Sequence, residues 1–453
     1  MLQAIQTNIN RFLTQGHERS LRAKKNIIKS VFIKGGSVVI SLMLIPLTIN
    51  YVNPTQYGIW LTLSSIITWA ALFDMGLGNG LKNKLAEVVA LNDTSRAQSY
   101  VSSTYAILLI ISALLFTVFC LVNPYINWAK VLNVQAGTYE QLNHLVLIIF
   151  AFFCFQFVAE LINTVLSANH APAKSALMNM IAQLLTLVVI VIAIRYKPGS
   201  LIELVIIMAG IPLLVTIGGS IMLFRGTYKL IAPNIADVNF KYARELLTVG
   251  GSFFVIQIGA LVLYGTDNIV ITQLFGPKEV TVFNVAYKLF SVILMIFMLV
   301  ITPFWSAFTE AYVKNDYDWI RSAIAKINKL WAALSLLSLL LLIVSPWLYT
   351  AWVGKSISVP VSLSVAMCFY MISLIWQATH VQLLNGTGKI KLQFYLVIFS
   401  SIVNIPLSIF LGRRIGVAGV TLSNVILLVM MGAVFSIQTN KIINKTASGI
   451  FNA

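Results

Sequence analysis

Charge is what this chain lacks most. Only 10% of its 453 residues are Asp, Glu, Lys or Arg, against roughly 25% in an ordinary soluble domain. That excludes a soluble globular fold. Long polar stretches are also missing, because no segment between apolar runs exceeds about 20 residues, too short for a catalytic domain outside a membrane. HExxH, Walker, GxSxG and CxxC patterns do not occur, which removes the usual residues of metal-dependent, nucleotide-dependent and thiol chemistry. The paired carboxylates Asp316 and Asp318 are flanked by basic residues and read as a solvated loop. No enzymatic activity is expected. The three cysteines, Cys120, Cys154 and Cys368, lie inside apolar runs and too far apart for a metal motif, so they read as packing residues and no metal cofactor is expected. The first 25 residues contain no apolar core beside a small-residue cleavage site, so a cleaved signal peptide is not expected either.

What is abundant is apolar sequence, 58% of the chain. Runs near 27–51, 57–77, 99–123, 143–167, 175–195, 201–224, 247–275, 283–307, 330–350, 357–384, 392–412 and 417–439 are each long enough, as helices, to cross roughly 30 Å of hydrocarbon. The spacing predicts an all-α polytopic membrane protein of about twelve transmembrane helices. The net charge of +17 would suggest nucleic acid in a soluble protein, but here basic loops on one membrane face explain it, and no nucleic-acid partner is expected. With the N-terminus inside, 21 Lys and Arg fall on the cytoplasmic face and 7 on the other, so both termini are expected in the cytoplasm. Leu2, Ile5, Ile9, Phe12 and Leu13 recur at helical spacing before Arg19, Arg22, Lys24 and Lys25, a pattern suited to a helix lying on anionic lipid.

A weak internal repeat divides the chain. NPTQYGIW at 53–60 and GPKEVTVF at 276–283 follow the first and seventh runs, and Asn-Asp recurs at 92–93 and 315–316, both with an offset of 223. GGS recurs at 35–37 and 250–252. Six spans per copy make the copies parallel, as in transporters that rock one bundle against the other. The expected division is a cytoplasmic segment 1–26, a six-helix lobe 27–224, a linker 225–246, a second lobe 247–440 and a tail 441–453.

A charge in mid-span costs roughly 2.5 to 3.5 kcal/mol, so the few present are informative. Lys34 lies beside Gly35 and Gly36, where it either snorkels to the headgroups or faces an anionic substrate. Asp267 stands between Thr266 and Asn268; its carboxylate has a short stem, so it points to a cavity or to an ion pair with Lys288 in the returning span. Glu160 and His380 are candidates for coupling or gating, through H+ or Na+, although a His among Gln377, Thr379 and Gln382 also reads as a satisfied helix contact. Ile45-Pro46 and Thr302-Pro303 read as kinks that could act as hinges. In FDMGLGNGLKNKLAE at 73–87, Gly76, Gly78 and Gly80 could cradle a phosphate, but no strand precedes them. They read instead as the end or loosening of the second span, with Lys82 and Lys84 at the headgroups and Asp74 as a gate contact.

FDMGLGNGLKNKLAEVVALND at 73–93, TDNIVITQLFGPKEVTVFNVAYKLF at 266–290 and TPFWSAFTEAYVKND at 302–316 together resemble polysaccharide transporters of the O-antigen flippase type, within the superfamily that also holds the multidrug and toxin extrusion transporters. The resemblance covers roughly 26–440. It implies two parallel six-helix bundles in a V, and translocation of a polyprenyl-pyrophosphate-linked oligosaccharide across the bacterial inner membrane, with membrane lipids and polysaccharide polymerase machinery as partners. It implies a central, often cationic cavity. Asp267 matches the acidic position of the seventh span, and Asn268 stands where many relatives have Arg. Lys34, Asp74, Asp267 and Lys288 are then the expected substrate-binding residues. An ion-coupled drug or organic-cation antiporter, or a non-transporting scaffold of glycan assembly, are the other readings that the mixed charges leave open.

Overall fold

In the computed structural model, the described residues are 18–452 apart from Met75, 136–141, His170, 197–198, 243–244, 247–257, Ala260, Tyr264 and Pro303, with side chains described from Phe32 onward. The basic-apolar segment before Glu18, the second GGS and Arg244 therefore lie outside the described residues.

The chain alternates long helices with short turns. The helices are α1 Glu18–Tyr51, α2 Pro54–Thr68, α3 Leu77–Ala90, α4 Thr94–Val122, α5 Leu142–Ala159, α6 Leu161–Ala168, α7 Pro172–Ile194, α8 Leu201–Val205 and α9 Ile211–Arg225. After short turns at Lys229–Ile231 and Ile235–Asp237 come α10 Asp267–Phe275, α11 Pro277–Ile301, α12 Phe304–Val313, α13 Tyr317–Val353, α14 Val361–Thr387, α15 Lys391–Ile415 and α16 Val417–Ile443. Among the described residues, ten spans are long and apolar enough to cross a membrane, with α5–α6 and α8–α9 each forming one. The bent pair α2–α3 adds an eleventh, and the shorter apolar helix ending at Phe275 occupies the place of the seventh expected run. The twelve apolar runs thus each have a helical counterpart in an all-helical, multi-pass membrane protein.

Local chemistry explains the breaks. Asn53 caps α2 by accepting from the Gln56 amide at 2.9 Å, ahead of Pro54 in the first turn. The second span breaks where the glycines cluster: Gly76 takes φ +83°, a left-handed conformation that costs glycine little, and α3 leaves at a bend of 49°. Asp74 occupies this break as a cap, its Oδ1 accepting from the Gly78 amide at 2.9 Å. Gly80 allows closer packing, since a Cβ there would lie 2.2 Å from the Leu246 carbonyl oxygen of the linker. On the linker, Glu245 accepts from Lys84 at 2.8 Å and from the Tyr100 hydroxyl at 2.8 Å.

The repeat is visible in backbone detail. Asn92 and Asn315 both take φ +57°, and the following Asp93 and Asp316 both cap the next helix at 3.0 Å, on Arg96 and Trp319. A second match lies where α2 crosses α11. A Cβ on Gly58 would lie 1.7 Å from the Pro277 carbonyl oxygen, and the Thr281 hydroxyl donates to the Pro54 carbonyl at 2.6 Å. Positions 54 and 277, and 58 and 281, are each 223 apart, so each helix presses its fifth residue onto the other's first carbonyl. Thr62 and Thr272 extend the join through a hydroxyl pair at 2.6 Å. Small residues let backbones approach in a membrane, where lipid is as apolar as Leu and hydrophobic burial drives little. The same logic leaves Leu109, Leu114, Ile343 and Phe399 exposed on outer faces.

Candidate functional site

In the second half of the chain, α10, α11, α14, α15 and α16 line a partly open cavity of about 480 Å³, within the 300–1,000 Å³ typical of small-ligand sites. Its polar lining is Asp267 and Asn268 at the start of α10, Asn284 on α11, Gln377 and Gln382 on α14, and Gln393 on α15. Tyr287 and Tyr370 add aromatic faces, their ring centroids 6.4 Å apart, and Phe283, Met298 and Met431 fill the remainder. Among the described residues, no Lys or Arg lines it.

Two hydrogen-bond chains position this lining. Asn284 Nδ2 donates to Asn268 Oδ1 at 2.8 Å, and Asn268 Nδ2 donates to the Ser65 hydroxyl on α2 at 2.8 Å, tying the cavity wall to the first six segments. Deeper, Asn424 Nδ2 donates to Asp267 Oδ2 at 2.8 Å, Asn404 Nδ2 to Asn424 Oδ1 at 2.7 Å, and Thr266 Oγ1 to Asn404 Oδ1 at 3.1 Å. Every member of this chain is buried. Its open end is Asp267 Oδ1, which has no hydrogen-bond partner among the described residues, as do the buried Gln382 and Gln393 Oε1 atoms. Buried acceptors without donors are uncommon in native structures and mark where a ligand group would find partners.

The residues singled out from sequence scatter around this cavity. Asp267 lines it. Lys288 is half-buried on α11, one turn beyond Asn284 at the flank of the lining stripe, and forms no ion pair with Asp267 among the described residues. Lys34 is exposed on α1 and does not line the cavity. Asp74 is the half-buried helix cap described above. Glu160 is exposed and accepts from Gln156 at 3.0 Å, while the buried His380 has Nδ1 3.2 Å from the Thr439 hydroxyl and its ring edge-on to Trp376. Asn284, Tyr287, Tyr370 and Gln393 were not singled out by number from the sequence, which expected Asn, Gln and Tyr side chains to meet sugars but ranked only the mid-span charges. Amides recurring within apolar spans were the available signal, because hydrocarbon leaves them no water to bond.

A polar cavity among helices long and apolar enough to cross a membrane is the architecture of a membrane transporter. The fold agrees. It superposes on an inward-facing multidrug resistance MATE family transporter of the MOP superfamily with a TM-score of 0.76, at 14% identity, covering 93% of this chain and 100% of the other. Against an outward-facing MATE transporter of that superfamily the TM-score is 0.62, at 16% identity, over 96% and 98% of the two chains. The chain belongs to the polysaccharide biosynthesis protein family, whose model matches residues 23–308. Among its relatives is a candidate O-antigen transporter of Salmonella typhi, 22% identical over 392 residues, 84% of this chain and 87% of that protein.

Proposed function

We propose that the chain moves a polyprenyl-pyrophosphate-linked oligosaccharide across the bacterial inner membrane for O-antigen-like surface polysaccharide, the sugars passing through the second-half cavity. The observation that carries this reading is the lining. Five amides and two tyrosines offer mixed donors, acceptors and ring faces, which suit hydroxyl-rich sugars, whereas an organic cation would be better matched by several carboxylates.

In this reading the pyrophosphate stays outside the cavity, near Lys288 and Lys34 on α11 and α1, and the polyprenyl tail remains in lipid. Removing a pyrophosphate from water without cations is costly, so the two lysines are its assigned partners. The excess of basic residues on one face supports termini in the cytoplasm. The α2–α11 join would then close the outer end, in keeping with the better superposition on the inward-facing neighbour. Asp267, with its free Oδ1, is the assigned coupling residue for a proton or sodium ion.

Reconstituted protein should transfer a fluorescent lipid-linked oligosaccharide between leaflets, and cells lacking it should accumulate that lipid on the cytoplasmic leaflet. Ordinary lipid-linked levels and distribution in such cells would overturn the reading. The burial of Asp267 against the cavity favours a second reading, an ion-coupled cation antiporter. Cation uptake by proteoliposomes without oligosaccharide transfer would establish it.

A further inference from the structure

The first six segments contain a groove of different character. About 440 Å³ in volume, it lies between α4, α5 and α9, with Leu109, Phe116, Cys154, Phe155, Val158 and Ile221 among its walls. Phe155 is 65% exposed and Leu109 56%, so it opens sideways from membrane-spanning helices and shares no residue with the polar cavity. At one end it runs into a shallow site made by Phe224, Arg225, Ala232 and Pro233, the two sharing Tyr105, Ser220 and Ile221. The floor of that site is fixed, since Gln98 donates to the Ala232 carbonyl at 3.0 Å and the Ser102 hydroxyl accepts from the Asn234 amide at 2.9 Å.

We infer that this groove is a binding site for one anionic phospholipid, with an acyl chain between α4, α5 and α9 and the phosphate against Arg225. Three observations carry it. The groove opens on the outer side of helices long and apolar enough to cross a membrane. Arg225 is exposed at the end of α9 and has no ion-pair or hydrogen-bond partner among the described residues. The Tyr105 hydroxyl, where groove and shallow site meet, is buried without a hydrogen-bond partner among the described residues, an unmet donor between the acyl groove and the phosphate site that a glycerol ester carbonyl would satisfy. A single cation matches the single charge of a phosphodiester, which selects a lipid such as phosphatidylglycerol over the doubly charged pyrophosphate of the proposed substrate.

The full chain, delipidated in detergent and supplied with phosphatidylglycerol or phosphatidylcholine, tests this by native mass spectrometry and thermal melting. Phosphatidylglycerol should bind roughly fivefold more tightly, the factor that about 1 kcal/mol for one basic residue beside anionic lipid corresponds to. Arg225→Gln should remove that preference. Ala113→Phe, at an exposed position in the groove, should reduce retention of both lipids while the protein still melts cooperatively. Equal binding of the two lipids by the wild type, an intact preference in Arg225→Gln, or full retention in Ala113→Phe would each overturn the assignment. So would a dimer that Ala113→Phe dissociates, since a second copy would then cover the groove.

Discussion

The two groups of six segments share turns down to single hydrogen bonds, yet enclose opposite chemistry. Asn92-Asp93 and Asn315-Asp316 repeat one dihedral and one cap distance, and Gly58 and Thr281 mirror each other across the α2–α11 crossing. But the second group surrounds amides and a carboxylate, and the first an apolar groove of nearly equal volume, about 440 against 480 Å³. A duplicated scaffold thus fixes where helices start, while the lateral faces diverge freely, because a face in lipid needs only to be apolar and a face on a cavity needs partners.

The shared crossing is the most sensitive place to break. Gly58→Ala would force a Cβ to 1.7 Å from a backbone carbonyl that cannot rotate away, so its cost should reach or exceed the ~1–3 kcal/mol of ordinary overpacking. The melting temperature should fall and transfer between leaflets should stop. Gly218→Ala on α9, where a new Cβ meets nothing within 4 Å, should instead leave stability equal or raise it by about 0.4–1 kcal/mol. Equal melting of the two variants would mean that the crossing is not tightly packed.

Next in size is Asp267. Asp267→Asn keeps its shape and removes the charge, so folding should survive while transport falls by more than about tenfold, the worth of ~1.4 kcal/mol, and loses its response to an imposed proton or sodium gradient. An unchanged gradient response would remove Asp267 from coupling. The cavity amides follow. Gln377→Leu with Gln382→Leu deletes sugar partners each worth about 0.5–1.5 kcal/mol, so apparent affinity for the lipid-linked oligosaccharide should weaken by roughly 5- to 150-fold. Stability should hold or improve, because Gln382 Oε1 is buried without a partner. In the groove, Ser220→Ala should leave transport untouched, and a matching loss there would erase the contrast between the two regions.

Most of the architecture was legible because membrane insertion imposes crude rules. Twenty apolar residues make a span, and Pro54, Pro277, Asn92 and Asn315 punctuate the chain by backbone chemistry that needs no tertiary context. Asp74 shows where that reading stops: its mid-span carboxylate suggested a gate, but the glycines beside it create a helix start whose amides it caps. The Asp267–Lys288 pair failed for a similar reason. The carboxylate is met by Asn424 from α16, 157 residues away, a partner that local sequence cannot nominate. Of the two lysines that the resemblance assigns to a cationic cavity, Lys288 sits at the flank of the described lining and Lys34 on an exposed face of α1.

The smallest expected effect concerns the linker that joins the two groups. Lys84, and then the Tyr100 hydroxyl, hold the Glu245 carboxyl below its ordinary value of 4.5. A depressed carboxyl stabilises the folded state above that ordinary value and loses its contribution as pH falls through the lower, folded one, so the sensitive window lies below about pH 4.5. Because Glu245 is 40% exposed, the contact belongs with surface pairs worth ~0.2–1 kcal/mol. Glu245→Gln should therefore lower the melting temperature slightly at pH 7 and approach the wild type as pH falls below about 4.5. If the two differ equally above and below that pH, the linker is held by packing of Leu246 against Gly80 and not by charge.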